Sequence, residues 1–166
     1  NNRYLRLQKD ETVKIRILGS FEDSTGIMGY QGWVTDDEGN RKPIRSIEDE
    51  KGTLQGKCDP GEKVKFFWAL PVYHYEDETL KVWEITQKTI RDQISALAGD
   101  EDFGNPNHYD IKVSRTGDGF DTAYNIKPLP KSEFSKEVQN VIDTELIYIK
   151  MKELFTGGDP FDGMPF

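Results

Sequence analysis

Residues 63–85 run KVKFFWALPVYHYEDETLKVWEI, a pattern that makes two β-strands joined by an acidic turn. Successive side chains of a strand point to opposite faces, so positions two apart share a face. The even positions Val64, Phe66, Trp68, Leu70 and Val72 form an unbroken apolar row. The odd positions Lys63, Lys65, Phe67, Ala69, Pro71 and Tyr73 mix charge with aromatic rings. Glu76-Asp77-Glu78 is a turn, and Leu80 to Ile85 returns as a second strand. One face of this pair belongs to a core, and the other carries bases and rings.

Upstream, Val13, Ile15 and Ile17 alternate with Lys14 and Arg16 in a strand with one apolar and one basic face. Ile27 to Thr35 carries Tyr30 and Trp33, and the turn cluster Asp36 to Asn40 leads into a basic return strand from Arg41 to Ile47. Glu48 to Pro60 is polar and glycine-containing and reads as a loop. Downstream, Ile90, Ile94 and Leu97 recur at helical spacing between Gln87 and Ala98, and Gly99-Asp100 stops the pattern. Tyr109 to Arg115, the turn Gly117-Asp118-Gly119 and Thr122 to Pro128 make a further hairpin.

Ser132 then caps a long helix containing Phe134, Val138, Val141, Ile142, Leu146 and Ile149, with a broad apolar end at Met151, Leu154 and Phe155. Thr156 to Phe166 is rich in Gly and Pro and reads as a flexible tail. The order is strand, strand pair, strand pair, short helix, strand pair, long helix, tail. It predicts a mainly β chain: a five-stranded OB-fold Greek-key barrel with a short helix between strands 3 and 4, plus a C-terminal helix. The expected division is a barrel domain over 1–130, a helix over 131–155 and a tail over 156–166.

The whole chain has 166 residues, enough for one domain. Its single cysteine, Cys58, excludes an internal disulfide and fits a reducing compartment. Nothing approaches the length of a membrane-spanning segment. The start, Asn1-Asn2-Arg3-Tyr4, has neither an apolar targeting core nor an initiator Met, the pattern of a fragment or processed chain.

Little in the sequence recommends catalysis. His74, His108 and Cys58 lack the short paired spacings of a zinc site, and no metal or other cofactor is expected. Gly117-Asp118-Gly119 lacks the Lys-Ser or Lys-Thr of a phosphate-cradling loop. The acidic clusters Asp36-Asp37-Glu38, Glu48-Asp49-Glu50, Glu76-Asp77-Glu78 and Asp100-Glu101-Asp102 lie in turns and loops, where carboxylates serve solubility and local hydrogen bonding. A metal-dependent nuclease is the weakest of the readings, and the chain is expected not to be an enzyme.

What remains is the interleaving of rings and bases on strands. Single-stranded nucleic acid is held by stacking on aromatic side chains inside a positive groove. Lys63, Lys65, Phe67 and Tyr73 supply both on one strand face, with Arg41, Lys42, Arg45, Lys112 and Arg115 on other strands and Tyr30, Trp33 and Tyr124 as further stacking candidates. The same strand face also fits rings packed under a loop or helix, with lysines solvating an edge strand. Trp68 and Trp83 are expected inside.

Three stretches carry a resemblance. They are Phe66 to Tyr73 (FFWALPVY), Val82 to Ile90 (VWEITQKTI), and Tyr109 to Gly119 (YDIKVSRTGDG) continuing through Thr122-Ala123-Tyr124. Together they resemble bacteriophage single-stranded DNA-binding proteins. The resemblance implies a fold that coats single-stranded DNA during phage replication, recombination and repair, in the cytoplasm of the infected bacterial host. The end, Asp159-Pro160-Phe161-Asp162-Gly163-Met164-Pro165-Phe166, is similar to the tails of such proteins, which close on acidic residues and a terminal Phe. A carboxylate beside a ring offers a partner one charged and one apolar anchor, so Asp159, Phe161, Asp162, Met164, Pro165 and Phe166 are the candidate contacts for replication or recombination proteins. Some phage members bind zinc through a Cys and His cluster, but Cys58 has no such neighbours in sequence, and a zinc-free protein is expected.

The alternative is an OB-fold protein-interaction module without nucleic-acid binding, and the broad apolar end of the last helix permits a homodimer. The formal charge of -8 seems to argue against DNA. Yet the acid gathers in turns while Lys14, Arg16, Arg41, Lys42, Arg45, Lys63, Lys65, Lys112 and Arg115 lie on strands, so binding is expected to be confined to one groove.

Overall fold

The computed structural model describes residues 2–49 and 52–165. Seven antiparallel strands make one sheet: β1 (Thr12–Ile17), β2 (Ile27–Thr35), β3 (Arg41–Ser46), β4 (Lys65–His74), β5 (Thr79–Ile85), β6 (Tyr109–Thr116) and β7 (Ala123–Lys131). Helix α1 (Lys88–Ala98) lies between β5 and β6, and α2 (Lys136–Glu145) follows β7. The expected element order holds, but the strand count is seven rather than five.

β4 is the spine. Its N-terminal half pairs with β2 from Gln31↔Lys65 to Ile27↔Ala69, its C-terminal end pairs with β1 from Ile17↔Val72 to Ile15↔His74, and β5 runs along its other edge. Pro71 falls where the first edge changes partner. A proline lacks the N–H that a ladder needs, so it is tolerated where the ladder is interrupted. Its carbonyl still accepts from Leu18 N at 2.9 Å. A Cβ on Gly19 would lie 2.5 Å from the Pro71 ring, so only glycine fits at this crossing.

Two cores lie on opposite sides of β4. Leu70 and Val72 join Val13, Ile15, Ile17, Trp83, Ile85, Ile111, Val113 and the α1 residues Ile90 and Ile94 in an inner cluster. Phe67, Ala69 and Tyr73 join Leu80 and Val82 in an outer cluster, covered by Ile142, Ile149, Met151 and Leu154 of the C-terminal segment. The aromatic part of the face expected to be open on β4, Phe67 and Tyr73, is therefore covered, while Lys65 stays exposed.

The C-terminal segment departs from the expected long helix. Ser135, not Ser132, caps α2 by accepting from Val138 N, because the Ser132 hydroxyl and carbonyl are both taken by Arg16. α2 ends after ten residues and gives way to 3₁₀ turns at Leu146–Tyr148 and Met151–Thr156. Such breaks let the chain follow the curved sheet and present Ile149, Met151 and Leu154 to it. Residues expected as a flexible tail also pack: Pro160 is buried, its carbonyl accepts from Lys150 N, and the Phe161 ring meets Tyr4 edge-on and lies under Arg3. Asp162 and Pro165 are exposed, Asp159 accepts from Phe161 N, and Met164 packs against the outer core. Phe166 lies outside the described residues.

Candidate nucleic-acid interface

The β2–β3 hairpin and the N-terminal half of β4 extend past β1, which pairs with β4 only from Val72 onward. Register places Tyr30 opposite Phe66 and Met28 opposite Trp68 on one face. The Tyr30 and Phe66 rings meet edge-on at 5.5 Å, and the Arg91 guanidinium of α1 lies 5.0 Å from the Phe66 centroid. Trp68 packs at 5.1 Å against Phe21, and these two rings with Met28, Leu70, Ile94 and Ala98 line a cavity of about 580 Å³. Tyr30, Phe66, Trp68 and Phe21 are each only partly buried, and Met28 is 41% exposed. The result is an open aromatic cleft between the hairpin and α1, edged by one arginine.

The other face of the hairpin carries Trp33, with the Arg41 guanidinium 4.3 Å from the ring and ion-paired to Glu62 at 2.7 Å. Thr35 donates to Asp59, which holds that carboxyl below its usual range, and Asp59 N bonds the Trp33 carbonyl. These bonds pin the following loop to the hairpin. Cys58 sits against Gly32, where any Cβ would collide with its sulfur, and its thiol donates to the Leu54 carbonyl. Among the described residues, no group of three His, Cys, Asp or Glu is placed to hold a metal ion.

Of the residues singled out from sequence, Tyr30, Trp33, Arg41, Lys42, Lys63 and Lys65 come together on and beside the hairpin, and the three lysines are exposed. Phe67 and Tyr73 do not, being 0% and 2% exposed beneath the C-terminal segment. This corrects their reading as stacking residues: strand periodicity separates two faces but does not say which lacks a second core. Arg45 is a structural group, bonded to Gln31 and Glu84 with its side chain 7% exposed. Arg115 donates to the Leu7 carbonyl, and Tyr124 packs against the inner core, so neither borders the cleft. Lys112 lies on the outer face of β6.

Sequence reading missed Phe66, Phe21 and Arg91 and placed Trp68 wholly inside. In sequence the even row of β4 is uniformly apolar, yet β1 pairs only as far as Val72, so the row's first four residues, Val64 to Leu70, lie beyond it. Trp83 is buried as expected, at 3% exposure.

Fold and cleft together define a mainly β protein with an open, ring-lined surface edged by Arg91. A protein of Escherichia phage T5 named "Probable ssDNA-binding protein" is 26% identical to this chain over 132 residues, covering 67% of this chain. The chain spans about half of that relative, 51% of its length. The likeness to phage single-stranded DNA-binding proteins carried by the motifs is thus also found by comparison over most of the chain. No protein-family profile matches the chain, and no solved structure matches it.

Proposed function

We propose that this protein binds single-stranded DNA with little sequence preference. The observation that carries the reading is the partly exposed set of Tyr30, Phe66, Trp68 and Phe21 with Arg91 over the Phe66 face. Every base has a π-face, so stacking on such rings contributes about 1–3 kcal/mol per base regardless of sequence. Lys42, opposite Val34, shares the cleft's face of the hairpin and is placed to meet phosphates, while Lys65, opposite Gln31, lies with Trp33 and Arg41 on the reverse face as a second contact position, and Lys63 precedes β4 beside them. The phage relative's name supports the same ligand.

The architecture fits this reading as an OB barrel. β1, β4, β5, β6 and β7 follow its chain order, with α1 between the third and fourth of them and the β2–β3 hairpin inserted after the first. The protein acts by coating and protecting DNA during phage replication, recombination and repair in the infected host's cytoplasm, and not by catalysis. Asp159, Phe161, Asp162, Met164, Pro165 and Phe166 are the proposed handle for replication or recombination proteins. Recruitment through Phe161 requires its ring to leave Tyr4 and Arg3.

Fluorescence anisotropy with labelled oligo-dT tests the function. Binding at low salt that weakens steeply with salt, and a loss of affinity in Phe66→Ala, are expected. Absence of binding at low salt overturns it.

A further inference from the structure

The cleft leaves unexplained a second concentration of charge, on β1, β6 and β7. Register aligns Lys14 of β1 with Lys112 of β6, and Lys112 with Lys127 of β7. All three are exposed, and the adjacent register row, Val13, Val113 and Ile126, points into the inner core. Neighbouring strands lie about 4.8 Å apart, so three ammonium stems stand side by side within about 10 Å.

The row beside them is neutral: Thr12, Ser114 and Asn125, with the first two hydroxyls bonded at 2.9 Å. The row on the other side holds Arg16 and Asp110, bonded to each other. Lys14 lies 3.8 Å from the second Asp110 oxygen and 4.4 Å from the Tyr75 ring centroid. Lys112 and Lys127 make no ion pair among the described residues.

Like charges directly opposite one another destabilise a sheet. In a chain of net charge -8, nothing in folding favours placing three lysines abreast. An anion with several charges relieves that repulsion, and a phosphodiester chain brings a row of them. Beyond Arg16, which is buried in its pair with Asp110, a groove of about 1000 Å³ is lined by Lys131, Lys136 and Phe134 together with one carboxylate, Glu133.

We infer that the Lys14–Lys112–Lys127 row is a phosphate track on which the single strand continues after leaving the aromatic cleft, so that the DNA wraps the barrel. This rests on the proposed single-stranded DNA binding and adds a second contact surface to it. Duplex DNA does not fit the geometry: its persistence length of about 50 nm far exceeds a domain whose radius of gyration is about 15 Å.

The test compares the natural sequence with the triple variant Lys14→Gln, Lys112→Gln, Lys127→Gln on oligo-dT of roughly 5 and about 30 nucleotides, bracketing the footprints of such domains. Each phosphate neutralised on a single strand contributes about -0.7 to the slope of log affinity against log salt. On the long oligonucleotide the variant's slope becomes shallower by about 2, on the short one its affinity is unchanged, and its melting temperature is equal or higher. Equal slopes on the long oligonucleotide overturn the track while leaving the cleft in place. If the unaltered protein binds neither oligonucleotide, the DNA-binding reading falls and the track with it. If the variant instead loses only binding to a duplex of the same length, the single-strand assignment is overturned.

Discussion

The Arg16 guanidinium and the Asp110 carboxylate form a buried ion pair, Nε to Oδ1 at 2.8 Å, that ties β1 to β6 through side chains as well as backbone. Arg16 extends the pair by donating to the Ser132 carbonyl and hydroxyl and by lying 4.2 Å from the Phe134 ring centroid. Tyr75 donates its hydroxyl to the same Asp110 oxygen, and burial first, then that bond, pushes the phenol's pKa up. One network thus joins β1, β6 and the turn after β4 to the start of the C-terminal segment. Asp110→Asn keeps the side chain's shape and an acceptor for Tyr75 but leaves the guanidinium without its charge partner. Breaking a buried pair from one side costs about 3–5 kcal/mol, so a lower urea midpoint at unchanged slope is expected. An unchanged midpoint would show that Arg16 finds its compensation elsewhere.

Phe66 and Phe67 are neighbours with opposite fates. Phe67 is fully buried under Phe155 and Leu154, whereas Phe66 lies in the open cleft. Phe67→Ala should cost about 3–5 kcal/mol of stability. Phe66→Ala should leave stability nearly intact and lower oligo-dT affinity by roughly 5- to 150-fold, the equivalent of about 1–3 kcal/mol for one stacked base. Paired denaturation and anisotropy measurements separate the two, and an affinity loss confined to Phe67→Ala would place the DNA on the wrong face of β4.

The C-terminal segment is part of the folded body. Met151 and Leu154 are buried against Phe67, Ala69 and Leu80. Leu154→Ala should destabilise by about 2–5 kcal/mol, a large fraction of the 5–15 kcal/mol typical of a domain. A truly detached appendage would show a loss near zero in the same urea titration.

The difference between expectation and structure follows from what strand and helix periods report. Alternation at Val13 to Ile17 and along β4 made the strands legible, and turn chemistry at Asp36 to Asn40 and Glu76 to Glu78 marked where they reverse. Periodicity does not say what lies across from a face. The ring-bearing odd row of β4 therefore read as open, although the apolar residues from Ile142 to Leu154 needed a surface to cover. Equally, the even row read as uniform core because nothing local signals that β1 stops pairing at Val72. Gly and Pro in residues 156–165 argued for freedom, yet Gly157 takes a left-handed φ of 79° that turns the chain back toward Lys150. The lysine row of β1, β6 and β7 was equally hidden, since only strand register brings positions so far apart in sequence into line.

His74 is the group through which mild acid should act. It is 6% exposed at the end of β4, and its Nδ1 accepts from Asp77 N at 3.1 Å, which requires a neutral ring nitrogen. Burial first, then the nearby Lys81 ammonium, lower its pKa below the ordinary 6.5, while Asp77, Glu76 and Glu11 pull the other way. In the unfolded chain the imidazole takes a proton more readily than in the fold. The stability associated with neutral His74 is therefore complete above the ordinary histidine pKa and is lost as pH falls through the depressed folded value. Asp77 is held ionised by its bond to Lys81, with a pKa below the usual carboxylate range, so its contribution is lost only at more acidic pH and does not overlap this window. Melting temperature should thus fall between about pH 7 and pH 5. His74→Asn, whose side-chain oxygen can take the place of Nδ1 without titrating, should flatten that fall even if it lowers stability at neutral pH. Parallel curves for the two proteins would mean that the acid sensitivity arises elsewhere.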